Sequence, residues 1–338
     1  MSASPLPPQT VLMPSGARRS RASHALVQNV GLVLVIGLLV ACIIGYCALF
    51  VIAQHRFPGG FELTSTLDNT MPLAFAALAQ TLVVLTRGID LSVGGVIDLT
   101  NAVAAQTLMG GPLSTTLWTA AILLIGAACG LLNGVLVAVG RLQPILVTLA
   151  TLSIFQGLAI RILPQPGGAM PPGFTNVLAN PNWPISLLYI PLIGGLWAIF
   201  RRTRLGVAVY AIGNDALAAS SHGISIKRTV ILAYMLGGVA SACGGLFLAA
   251  NATAGDATTG DTYTLTSIVA AVLGGVSLFG GRGSGLGALF GAFVTVMVVN
   301  ILFFAHIDPL YQTFYEGLFL LAAVISANMI GRAVRRRR

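Results

Sequence analysis

Runs of about 20 mainly apolar residues recur along almost the whole chain, separated by short polar breaks, and that length is what a helix needs to cross a bilayer. Lipid offers the backbone no hydrogen-bond partners, so such a chain has little choice but to fold as a bundle of membrane-crossing helices. Of 338 residues, 56% are hydrophobic and 8% charged, against roughly 25% charged in an ordinary soluble domain. The chain reads as an all-α integral membrane protein, one polytopic domain with no soluble domain attached.

Spans are expected at about 26–53, 71–86, 91–109, 116–139, 144–163, 185–200, 229–250, 265–280, 284–305 and 311–331, about ten transmembrane helices. With that number and a cytoplasmic N-terminus, every basic residue except Arg56 and Arg161 falls on the inner side. One span more or fewer would reverse every later loop and spoil the separation, so the charge bias tests count and orientation together. Both termini are then cytoplasmic. Residues 1–25, with Arg18, Arg19 and Arg21 among Pro, Ser and Ala, form a disordered basic tail. Residues 26–331 form the transmembrane domain, and 332–338 a second basic tail. The run at 26–53 is too long for the apolar part of a signal peptide and counts as a retained first helix. The net charge of +9 comes from bases that punctuate the spans, not from a patch of the kind that binds nucleic acid.

The sharpest local signal is the break Thr86-Arg87-Gly88-Ile89-Asp90-Leu91-Ser92-Val93-Gly94-Gly95. It can turn the chain sharply, carries both charge signs, and must be covered from lipid. Beyond it, Asp90, Gly94, Asp98 and Asn101 are spaced to share one helix face. A carboxylate as deep as Asp98 costs about 2.5 to 3.5 kcal/mol on insertion scales, so it faces the bundle interior or a wet cavity. Two readings stay open for Asp90, Ser92, Asp98 and Asn101: the polar lining of a substrate pathway, or interior hydrogen bonds that fix helix packing.

Small residues recur every four positions at Gly126, Gly130 and Gly134, at Gly237, Ser241 and Gly245, and at Gly283, Gly287 and Gly291. Such ridges let helices approach closely. Gly88, Gly94, Gly281, Gly283 and Gly287 are accordingly expected in turns and packing seams. The outer loop at 164–184, with six prolines, suits a stiff non-helical cover. The inner loop at 201–228 contains good helix formers after Asp215 and predicts a short helix on the cytoplasmic face.

Nothing points to catalysis. There is no GxxxxGK[ST], Lys227 being the one lysine, and no HExxH; the four histidines are scattered. Cys42, Cys47, Cys129 and Cys243 all fall in apolar runs without metal-ligand spacing. No catalytic residue, metal or cofactor is expected in this chain. The cluster Gly280 to Gly287 partly mimics a dinucleotide loop, but no strand precedes it, and a tight inner turn is the better reading.

Four motifs in order carry a resemblance. Gly88-Ile89-Asp90-Leu91-Ser92-Val93-Gly94 and Pro144-Ile145-Leu146-Val147-Thr148-Leu149-Ala150-Thr151-Leu152 come first. Tyr210-Ala211-Ile212-Gly213-Asn214-Asp215 follows, with Ala218-Ala219 and Gly223-Ile224. Gly274-Gly275-Val276-Ser277-Leu278-Phe279-Gly280-Gly281-Arg282-Gly283-Ser284 with Gly287 and Gly291 completes the set. Together they resemble the permease subunit of bacterial ABC importers for monosaccharides of the ribose, xylose and galactose class. Arg87 stands where that family more often has Gly, and Asp98 where a small apolar residue is usual.

The resemblance implies a division of labour in the bacterial inner membrane. Two permease subunits, identical or not, form the pathway, two cytoplasmic ABC ATPase subunits hold ATP and Mg, and a periplasmic sugar-binding protein delivers the substrate. The inner loop at 201–228 then couples to the ATPase through Gly213, Asn214, Asp215 and Gly223. The alternative is a secondary transporter or channel working without an ATPase, in which Asp98 could carry a proton.

Overall fold

The computed structural model describes residues 30–308 apart from Pro181, together with 311, 314, 315, 317–319, 321, 322 and 325. The tails expected at 1–25 and 332–338 lie outside the described residues. Every regular element among the described residues is a helix. In chain order they are α1 (Val30–Gln54), α2 (Gly60–Val84), α3 (Val93–Thr107), α4 (Pro112–Ala138), α5 (Pro144–Ile162) and α6 (Pro172–Leu178), followed by α7 (Ser186–Phe200), α8 (Arg204–Asn214), α9 (Ala216–Ser221), α10 (Ile226–Ala252), α11 (Asp261–Leu273) and α12 (Gly285–Phe304). The described residues between 311 and 325 are helical too. Six helices, α1, α2, α4, α5, α10 and α12, are long and apolar enough to cross a membrane, and α7 and α11 are shorter apolar helices.

Proline marks several starts, at the first position of α4, α5 and α6, where its missing N–H costs nothing and its φ already suits a helix. Three expectations are corrected. The second span begins at Gly60, not near 71, because Thr64, Thr66, Asp68 and Thr70 are buried inside the bundle. There the Asp68 carboxylate accepts from the Ser186 hydroxyl at the head of α7, so tertiary burial overrides a polar stretch that reads as loop. The proline-rich outer loop contains the helix α6, started by Pro172. The eighth predicted span ends at Leu273, where Gly274 and Gly275 begin a turn.

α2 is the axis of the bundle. Met71, Ala74, Ala77 and Val83 are fully buried in it, and α10, α11 and α12 pack around it. The glycine ridges are the seams. A Cβ on Gly126 would lie 2.5 Å from the Gly238 carbonyl, and one on Gly130 would overlap the Tyr234 carbonyl, so α4 and α10 touch backbone to backbone. A Cβ on Gly245 would lie 2.8 Å from the Ile97 carbonyl of α3. Gly287 and Gly291 meet Gly274 and Ala270 of α11 in the same way. In lipid this close approach replaces the hydrophobic drive between helices. The outward faces of α1, α4 and α5 are apolar, with Ile44, Ile52, Leu124, Leu146 and Ile154 exposed.

Candidate functional site

The break after α2 turns at the exposed Arg87 and then runs back into the bundle. Val93 and Ile97, in the first turns of α3, pack on Ala76 and Ala79 of α2, two turns back from the end of α2. The segment between therefore folds back into the bundle, with Gly88 against Tyr234 of α10 and Val83. α3 is 15 residues long, about 22 Å, and so too short to cross the membrane by itself.

Asp90 holds this segment in shape. Its Oδ1 accepts from the Ser92 backbone N–H (2.8 Å) and the Ser92 hydroxyl (2.6 Å). Ser92 Oγ in turn accepts from Asn133 Nδ2 of α4 (2.7 Å). The Leu91 N–H donates to Thr148 Oγ1 of α5 (3.0 Å). Asp90 precedes α3, so it does not share the helix face of Gly94, Asp98 and Asn101. That expectation is corrected, and the reason is local: a short polar side chain that takes the N–H two residues on makes a turn and competes with helix.

Asp98 and Asn101 do share a face, and it is turned inward. Asp98 Oδ1 accepts from the Gly260 N–H (2.6 Å) at the head of α11, and Asn101 Oδ1 accepts from the Asp256 N–H (2.8 Å). Both side chains thus hold the α10–α11 connection inside the bundle. All four residues expected to line a pathway are buried.

These contacts expose a repeat that a search for short periods cannot find. Asp90-Leu91-Ser92-Val93-Gly94 and Asp256-Ala257-Thr258-Thr259-Gly260 share the pattern D-x-[ST]-x-G. Asp256 Oδ1 accepts from the Thr258 N–H and hydroxyl, both at 2.8 Å, as Asp90 does from Ser92. The Thr258 hydroxyl, with the backbone, holds the Asp256 carboxyl below the usual carboxylate range. Each turn feeds a short helix, α3 or α11, entered from opposite ends of the bundle. The two final glycines abut: a Cβ on Gly260 would lie 2.5 Å from the Gly94 carbonyl. Paired discontinuous helices starting near mid-bundle are a transporter device.

At the end of the bundle expected to face the cytoplasm, three of the sequence motifs tie one knot. Arg87, in the left-handed region at φ 69°, donates from Nε to the Gly213 carbonyl (2.8 Å) and from Nη2 to the Asn214 carbonyl (2.7 Å). The Gly281 N–H donates to the Leu85 carbonyl (3.0 Å). Asn214 Nδ2 donates to the Gly281 carbonyl (3.1 Å), and the Tyr210 hydroxyl to the Gly283 carbonyl (2.7 Å). Gly213 fits only without a side chain, because a Cβ would overlap the Leu85 carbonyl and the Gly281 N–H.

The inner loop holds two helices where one was expected. α8 is mostly packed, whereas α9 projects, with Leu217 82% exposed. Asp215 separates them and caps α9, accepting from the N–H groups of Leu217 (2.9 Å) and Ala218 (3.0 Å). Gly223 closes the projection in the left-handed region at φ 82°. Leu278 and Phe279, at the tip of the knotted glycine turn, are also exposed. Sequence reasoning missed Arg87, Leu217 and Phe279 as members of this surface. Asp215→Ala should loosen α9 by about 1 kcal/mol, while Asp215→Asn keeps the cap. Amide hydrogen exchange across Ala216–Ser221 checks both.

Among the described residues the arrangement brings no nucleophile beside a base. It joins the segment carrying α9 to the break before α3 and to the turn after α11.

Residues 63–325 match the family model described as branched-chain amino acid transport system / permease component. A ribose import permease protein of Escherichia coli (strain K12) is 32% identical over 281 residues, covering 79% of this chain and 85% of its own. An autoinducer 2 import system permease protein of Klebsiella pneumoniae is 33% identical over 300 residues, 86% of each chain. A fructose import permease protein of Rhizobium meliloti is 32% identical over 302 residues, 85% of this chain and 83% of its own. No solved structure matches.

Proposed function

We propose, for a chain that belongs to the branched-chain amino acid transport system / permease component family, that it forms the solute path of an ATP-driven importer for a monosaccharide or similarly small, hydroxyl-rich solute. The similar import permeases named for ribose, fructose and autoinducer 2 support that substrate class. As a permease component the chain is not an enzyme, and ATP hydrolysis belongs to partner subunits, which hold the ATP and Mg. A second permease subunit and a periplasmic sugar-binding protein complete the assembly in the bacterial inner membrane.

The reading keeps ten spans with both termini inside. Its support is that α7, the helical residues between 311 and 325, and the two segments in which α3 and α11 are completed by the turns before them bring the six long helices to that number. Chain direction then puts Arg87, Gly213 and Gly281 at one face, as the charge bias requires.

The observation that carries the function is the knot between the α8–α9 segment, Arg87 and the Gly281 turn. In this reading α9 is the coupling helix: Gly213, Asn214, Asp215 and Gly223 shape it, and Leu217 and Phe279 meet the ATPase. Closure of the ATPases would push α9 and, through the knot, switch α3 and α11 between outward-facing and inward-facing states.

Reconstituted with its ATPase and loaded binding protein, the complex should hydrolyse ATP and take up sugar only when all parts are present. Uptake driven by a proton gradient with no need for ATP would overturn the reading. Leu217→Glu removes an apolar anchor of about 1.5 to 3 kcal/mol when fully buried. It should weaken co-purification of the ATPase several-fold without lowering the amount of permease in the membrane.

A further inference from the structure

One polar pair lies on the outside of the bundle where lipid would be expected. Gln156 Nε2 of α5 donates to Asp261 Oδ2 at the first position of α11 (2.6 Å). Both helices pack on α3, and the pair ties α5 to α11 beside it. Asp261 and Thr262 are exposed on the α11 side, and Ser153, one turn before Gln156, on the α5 side.

The position of the pair argues against lipid. Asp261 follows Gly260, whose N–H is bonded to Asp98 inside the bundle. Gln156 lies six positions before the end of α5, about 9 Å along the helix. An aspartate at the centre of a span costs about 2.5 to 3.5 kcal/mol against hydrocarbon, and Leu146, Leu149, Ile154 and Leu158 on the exposed α5 face are apolar, with Arg161 exposed in the last turn. An exposed carboxylate and a half-buried carboxamide that meet on this face, with Ser153 and Thr262 exposed beside them, are suited to water or a polar solute and not to lipid.

We propose that the Gln156–Asp261 pair is a solute-contacting subsite of the transport path, taking the hydroxyl groups of a neutral sugar-like solute. This rests on the sugar-permease reading and deepens it. The free Asp261 oxygen accepts hydroxyl protons, and the Gln156 carboxamide can both donate and accept. Asp98 acts here as a positioning residue, since it holds the Gly260 N–H that precedes Asp261. The pathway residues thus lie one layer outside the buried Asp90, Ser92, Asp98 and Asn101.

Two measurements on the complete transporter in proteoliposomes test this, with ribose and fructose as probes. Gln156→Leu and Asp261→Leu should each slow uptake about fivefold at saturating loaded binding protein, with membrane abundance and ATPase stimulation kept, and Gln156→Asn should recover part of the rate. Ser153→Cys and Thr262→Cys should react with a membrane-impermeant thiol reagent faster than Ile154→Cys, with the parent's own cysteines as background. Parent-like uptake by both leucine variants, or no labelling at 153 and 262 in a transporting complex, overturns the subsite. Failure of the parent complex to take up either sugar counts against the importer reading instead. Labelling then still decides whether this face of α5 and α11 is lined by water.

Discussion

Replacing Arg87 with alanine should leave a complex that assembles and hydrolyses ATP but takes up sugar at least ten times more slowly. The guanidinium spans two consecutive carbonyls, Gly213 and Asn214, at the end of α8. Hydrogen bonds to a charged group contribute about 1.5 to 3 kcal/mol each, and 1.4 kcal/mol is a factor of ten in an equilibrium. Without that clamp, the α8–α9 segment can follow the ATPases without carrying the break before α3 along. Lysine should not rescue, because a single ammonium cannot present the forked donors that reach both carbonyls. Arg87→Gly is the informative companion. It relieves the left-handed backbone at φ 69° and removes the clamp, so it should express at least as well as the parent and remain uncoupled. The ratio of uptake to hydrolysis in proteoliposomes is the readout. A parent-like ratio in both the alanine and the glycine variants would break the link between the knot and coupling.

Arg87 also shows where sequence reading stopped. Its motif was visible, but its partners lie 126 and 127 positions further on, and no local rule connects them. Apolar helices were legible by length and hydropathy because lipid makes both demands at once. The first eleven residues of α2 were not, since their hydroxyls and Asp68 are tolerated only through burial against other helices. The glycine ridges were legible as packing surfaces, although which helix each one meets is a tertiary fact. The twin D-x-[ST]-x-G turns share two residues and a hydroxyl position across a long separation, too little to notice until the structure puts Gly94 beside Gly260. Asp98 was marked as a carboxylate facing the bundle interior or a wet cavity, and fastener and proton carrier were among the roles open for it.

Those two roles separate at Asp98. The side chain has no exposed surface, and its Oδ1 accepts from the Gly260 N–H at the point where the two discontinuous helices meet. Its Oδ2 is buried without a hydrogen-bond partner among the described residues. Asp98→Ala strips a buried N–H of its acceptor, a cost of about 1 to 3 kcal/mol, and leaves a cavity beside Gly94 and Gly260. Little membrane-integrated protein should accumulate, and uptake should fall by about two orders of magnitude, consistent with losing both contributions together. Asp98→Asn has nearly the same shape and keeps an oxygen for the Gly260 N–H, but it can no longer bind and release a proton. If Asp98 is a fastener in an ATP-driven machine, the asparagine variant should transport within about twofold of the parent, a difference below 0.5 kcal/mol. If Asp98 carried a proton in a secondary transporter, asparagine would abolish uptake while assembly stayed normal. Uptake by both variants, measured with ATP supplied and the proton gradient collapsed and normalised to protein in the membrane, separates fastener from proton carrier in one experiment.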